Sequence, residues 1–98
     1  MIEQDEGRLR VSAPMVITNA RALLAAGRAC LLSGASAGRP AVLDLSAVSE
    51  VDSSALGVVL AWLRTGRARG IALLIANPPA NLISLATLYG VSELLPLA

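Results

Sequence analysis

Asp52-Ser53-Ser54 is the one close group of polar side chains in this sequence that sits where two apolar segments meet. Two hydroxyls beside a carboxylate suit three kinds of chemistry: nucleophilic attack, acceptance of a phosphoryl group, or capping of a helix start. A serine nucleophile needs a base to take its proton. The sequence has no His, and all eight of its cations are Arg, so neither a Ser–His nor a Ser–Lys arrangement can be built. The Gly-x-Ser-x-Gly spacing of a nucleophile elbow is missing, as are the standard Gly-rich phosphate loops. No catalytic residue is assigned, and the chain is read as a non-enzyme.

Capping remains, because Asp and Ser oxygens accept hydrogen bonds from the free N–H groups of a helix start. Phosphorylation at Ser53 also remains, since a helix N-terminus favours an added phosphate. The Asp52 carboxylate beside it acts against that charge.

The elements around this corner follow from patterning. Val42 to Leu45 belongs to an apolar run, Ala41 to Leu45, suited to a buried parallel strand. A second helix is expected from Ser54 to Arg69, with Gly70 in its left-handed cap. Upstream, Leu9 and Val11 alternate with Arg8, Arg10 and Ser12, which predicts a half-exposed strand within 7–13. Residues 1–6 read as frayed or as a weak edge strand. Thr18 stands as the N-cap of a first helix whose face carries Ala20, Leu23, Leu24, Gly27 and Leu31. Ser33 to Pro40 is a small-residue loop.

Downstream, Ile71 to Ala76 predicts another buried strand. Asn77-Pro78-Pro79 opens a third helix ending near Tyr89, whose ring is expected against the sheet, and Gly90 caps it. Val91 to Leu97 is a short terminal turn or helix ending near Pro96. Strand, helix, strand, helix over 41–89 implies parallel crossovers. The fold class is α/β, a small mixed sheet with helices mainly on one side, in a single domain over 1–98.

On the second helix, Leu56, Val59, Leu60 and Leu63 are expected as the core stripe. Ala55, Val58 and Trp62 fall away from its centre. They form a second apolar face, read either as packing under a neighbouring element or as a docking surface beside Asp52-Ser53-Ser54.

Composition narrows the partners. A net charge of +1 supplies no long-range field for nucleic acid or anionic lipid. One cysteine, Cys30, permits no internal disulfide and is expected as a buried, inert thiol. With no His, a transition-metal site would need carboxylates alone, so neither metal nor cofactor is expected. The longest apolar run, Ala55 to Leu63, falls short of the roughly 20 residues of a membrane span. The acidic start Met1-Ile2-Glu3-Gln4-Asp5-Glu6 is unlike a signal peptide. A cytoplasmic protein that reaches a membrane only through a partner is expected.

Leu43-Asp44-Leu45-Ser46-Ala47-Val48 followed by Val51-Asp52-Ser53-Ser54-Ala55-Leu56-Gly57 resembles the central signature of STAS domains, over nearly the whole chain from Arg8 to Pro96. The resemblance implies a mixed sheet with helices packed mainly on one face. It implies that Ser53 stands where anti-sigma factor antagonists are phosphorylated. It also implies docking through the second helix, with Asp52, Ser53, Ser54, Ala55, Val58 and Trp62 as the contact surface.

Two branches follow from it. Ala61-Trp62-Leu63-Arg64 and the segment from Leu82 to Leu95 resemble the MlaB-type subunit of Mla phospholipid transporters. That implies binding to the ABC transporter ATPase subunit, at the cytoplasmic side of the inner membrane, in support of outer-membrane lipid asymmetry. The other branch is an anti-sigma factor antagonist switched at Ser53. Ser12-Ala13-Pro14-Met15-Val16 lacks the acidic pair that many antagonists carry in this region.

Overall fold

A computed structural model describes residues 1–33 and 40–98. The predicted Ser33–Pro40 loop therefore lies largely outside the described residues. The order of elements is β1 (Ile2–Asp5), β2 (Arg8–Val11), α1 (Ile17–Leu32), β3 (Ala41–Asp44), α2 (Ser54–Ala68), β4 (Leu73–Ala76) and α3 (Ala80–Leu88). A short 3-10 turn follows at Ser92–Leu94. The sheet order is β1-β2-β3-β4, with β1 antiparallel to β2 and the other pairs parallel.

The first residues are a true strand. Glu6 and Gly7 both take positive φ, 46° and 82°, between the paired residues Asp5 and Arg8. A two-residue loop of that kind matches the right-handed twist of a hairpin. Pairing then sets Glu3 opposite Arg10 and Asp5 opposite Arg8, so opposite charges face each other across the ladder.

Period-2 alternation sends Leu9, Val11, Ala41, Leu43, Leu73 and Ile75 to the helix-covered face, where all are buried. Arg8 and Arg10 point the other way and are exposed. α1 and α2 lie side by side, and α3 packs beside α2. α2 ends where Gly70 adopts φ 72°, the left-handed cap its position called for.

The buried residues of α2 are Ala55, Leu56, Val58, Val59, Trp62 and Gly66. The stripe expected from Leu56, Val59, Leu60 and Leu63 is therefore displaced, with Leu60 and Leu63 only half-buried. The cause is α1. Trp62 is 1% exposed, lies against Gly27, and donates its indole N–H to the Leu24 carbonyl at 3.3 Å. A Cβ at position 27 would run into the Nε1, Cε2 and Cζ2 atoms of that ring. Ala55 and Val58, 0% and 6% exposed, are covered as well. In this chain these three residues are core and present no surface.

Two smaller expectations also change. Cys30 is half-buried against the edge of the core and carries a free thiol. Tyr89 is 58% exposed and does not pack on the sheet. No helix among the described residues is long and apolar enough to cross a membrane.

Candidate functional site

Two loops meet above the sheet and build the Asp52-Ser53-Ser54 corner. Met15 N–H donates to the Glu50 carbonyl at 2.9 Å, and Asp52 N–H donates to the Met15 carbonyl at 3.2 Å. This one-residue parallel bridge between Met15 and Val51 extends the β2–β3 pairing past the strand ends. It brings the starts of α1 and α2 side by side.

Asp52 joins them. Its Oδ2 accepts the Ile17 N–H at 2.9 Å, at the first residue of α1. Its Oδ1 accepts the Ser54 N–H at 2.9 Å and also the Ser54 hydroxyl. One carboxylate thus satisfies free N–H groups at two helix starts. Thr18 does not cap α1; the N-cap position is Val16, two residues earlier, the helix begins at Ile17, and its side-chain cap comes from Asp52 across the loop. The Ser54 hydroxyl and the Ile17 N–H hold the Asp52 carboxyl below the ordinary aspartate range. Desolvation opposes them and the Ser54 N–H adds to them.

With Asp52 as the cap, Ser53 is released. It is exposed, sits in a helical conformation at φ −62° and ψ −23°, and makes no side-chain cap hydrogen bond. Ser54 is half-buried and turned into Asp52. Ile17, whose N–H the Asp52 carboxylate holds at the start of α1, is 70% exposed.

Helical phase decides what else shares the surface with Ser53. At 100° per residue, Gly57, Leu60, Ala61 and Arg64 follow it down one face, while Ala55, Val58 and Trp62 lie on the far side. Burial agrees: Gly57 and Arg64 are exposed and Leu60 and Ala61 are half-exposed. A Cβ at Gly57 would meet nothing within 4 Å. Of the six residues expected to form the contact surface, Asp52, Ser53 and Ser54 stand at the corner, whereas Ala55, Val58 and Trp62 are buried behind it. Gly57, Leu60 and Arg64, outside the expected set, share the outward face with Ser53. The signal that finds them is the phase of the helix measured from Ser53.

A second polar centre was also overlooked. Asp44, only 6% exposed at the end of β3, accepts from the Ser46 N–H at 3.0 Å, the Asn77 amide at 3.2 Å and the Arg8 guanidinium at 3.0 Å. Burial pushes its carboxyl up. The Ser46 N–H, the Asn77 amide, the Ser46 hydroxyl and Arg8 outweigh this and hold it far below the ordinary value of about 3.8. Asp44 ties β2, the loop after β3 and the loop after β4 together.

Residues 2–96 match the family model described as "Mlab, STAS domain". A Thermotoga maritima protein provisionally assigned as an anti-sigma factor antagonist superposes with a TM-score of 0.76 at 18% identity, over 99% of this chain and 83% of that one. The anti-sigma factor antagonist SpoIIAA in its unphosphorylated form gives 0.72 at 19% identity, over 100% and 86%. A sulfate transporter family protein of Wolinella succinogenes gives 0.68 at 17% identity, over 90% and 69%. A search of curated protein sequences finds no match. At such identities the structures speak for the fold, a mixed four-stranded sheet with three helices. The family model covers nearly the whole length, and the chain belongs to the STAS domain family.

Proposed function

We propose that this chain is a non-catalytic STAS subunit that binds the ATPase of an Mla-type phospholipid ABC transporter. It acts in the cytoplasm, held peripherally at the inner membrane by that partner, and supports assembly or activity of a complex that maintains outer-membrane lipid asymmetry. The observation that carries the reading is the corner itself. Asp52 fixes two helix starts, and the exposed Ser53, Gly57 and Arg64 with the half-exposed Leu60 form a preformed strip on α2. A rigid strip with a hydroxyl, a flat glycine and flanking apolar groups suits contact with another protein. The absence of His and Lys from the sequence argues against chemistry there. The Mlab description of the matching family model favours the transporter partner.

The test is co-purification from the native host with the bound proteins identified. Wild type retains the ATPase; Gly57→Arg, which projects into open space, folds normally and loses it. Retention of the ATPase by folded Gly57→Arg and Ser53→Glu would falsify the strip as the interface.

A second reading is favoured by the exposed, unbonded Ser53 and by likeness to SpoIIAA: an anti-sigma factor antagonist switched at that residue. A phosphoryl group on Ser53 would stand beside the Asp52 carboxylate and repel it. Intact mass from native cells distinguishes the two, since only this reading expects the added phosphate.

A further inference from the structure

The outer edge of β4 is only partly closed. Ala41 N–H donates to the Ala72 carbonyl at 2.9 Å and Leu45 N–H to the Ala76 carbonyl at 3.0 Å, so even-numbered residues of this segment face β3. The odd ones turn their main chain outward. The C-terminal tail satisfies Ile75: its N–H donates to the Pro96 carbonyl at 2.8 Å, and its carbonyl accepts from the Ala98 N–H at 2.8 Å. That parallel register sets Leu97 opposite Ile75. Carried one pair back, it sets Leu95 opposite Leu73 and calls on the N–H of residue 96 to reach the Leu73 carbonyl. Residue 96 is proline and has no N–H to give. The ladder stops, and the preceding residues turn into the 3-10 turn at Ser92–Leu94.

Leu73 is left with both main-chain groups pointing outward. Among the described residues neither makes a main-chain hydrogen bond, although Leu73 is only 5% exposed. Leu73 lines an open groove of about 620 Å³ at the opposite end of α2 from Ser53. Its walls include Leu63, Ile71, Leu74 and Leu94, with Arg67 and Glu93 adding one charge of each sign. A main-chain donor and acceptor that face the groove without main-chain partners favour a ligand that supplies both. An extended peptide main chain does so, and it brings side chains for the apolar walls.

We propose that this groove is a strand-addition site, in which an extended segment of a partner protein pairs with Leu73 and fills the edge position that Pro96 keeps open. The segment is apolar, with opposite charges at its two ends to meet Arg67 and Glu93. This surface is separate from the Ser53 strip and does not depend on the identity of the partner bound there.

The full chain, labelled with 15N, is titrated with two synthetic probes, acetyl-Arg-Val-Thr-Val-Glu-amide and acetyl-Glu-Val-Thr-Val-Arg-amide. In the free chain the Leu73 amide exchanges faster than the paired Ile75 amide. One of the two peptides binds better, shifts resonances centred on Leu73 and Arg67, and slows Leu73 exchange by about tenfold or more. Leu94→Asp, at a position 59% exposed, weakens that binding. Arg67→Glu combined with Glu93→Arg, both exposed, reverses which peptide binds better and decides the matter should Leu94→Asp not fold. Protection of Leu73 equal to Ile75 in the free chain overturns the proposal. So does the absence of shifts with both peptides at millimolar concentration, or binding indifferent to the variants.

Discussion

Asp52 and Ser53 divide the work of one motif at the residue scale. Asp52 is structural, because its two oxygens hold N–H groups from both α1 and α2. Ser53 is free. Asp52→Ala therefore lowers the melting temperature by several degrees, while Ser53→Ala leaves it nearly unchanged; thermal unfolding of the two variants checks this. Asp44 governs acid stability. Its carboxyl is depressed on folding, so its contribution is complete above the ordinary value of about 3.8 and is lost as pH falls below that toward the folded value. Urea unfolding between pH 7 and pH 3 should show falling stability, and Asp44→Asn should flatten that fall. Asp44→Ala leaves Ser46, Asn77 and Arg8 without their acceptor, and should cost about 2–3 kcal/mol at neutral pH. The Asp-Ser-Ser grouping was plain in the sequence, but which oxygen met which N–H was not. The Ile17 donor lies 35 residues away, and only the Met15–Val51 bridge brings it to Asp52.

The two faces of α2 show how much one neighbour can decide at the scale of the element. The apolar residues of α2 span a wide arc because α1 flanks one side and α3 the other. Sequence patterning detected both apolar faces but could not say that a helix covers the one holding Trp62. Gly27 is the mark of that contact. Gly27→Ala should destabilise by about 1–3 kcal/mol through overpacking against the indole. Trp62→Ala should cost about 3–5 kcal/mol by leaving a cavity. Gly57 predicts the opposite sign. It is an exposed helical glycine with open space around it, so Gly57→Ala should stabilise by up to about 1 kcal/mol. Denaturant unfolding of the three variants orders them.

The helices cover one face of the sheet, and the loops at the ends of β2 and β3 carry the exposed corner, which sets the logic of the whole molecule. A partner seated on that corner meets α1 and α2 together, because Asp52 couples their starts. Hydrogen exchange in the complex should slow at Ile17 and along Ser53 to Arg64 at once, with α3 unaffected. Protection confined to one helix would count against a single preformed surface.

Period-2 alternation, the glycine caps and the apolar runs were local signals, so strand and helix identities, the parallel crossovers and the absence of a base for Ser53 could be read from the sequence alone. The depth of Trp62, the cap on α1, the buried Asp44 centre and the half-open edge at Leu73 could not. Each depends on residues far apart in the chain meeting at hydrogen-bond or van der Waals distance. Such meetings are set by how the helices pack on the sheet, and no local pattern encodes them. Of the six residues expected to form the contact surface, the tertiary structure leaves Asp52, Ser53 and Ser54 at the corner and buries Ala55, Val58 and Trp62.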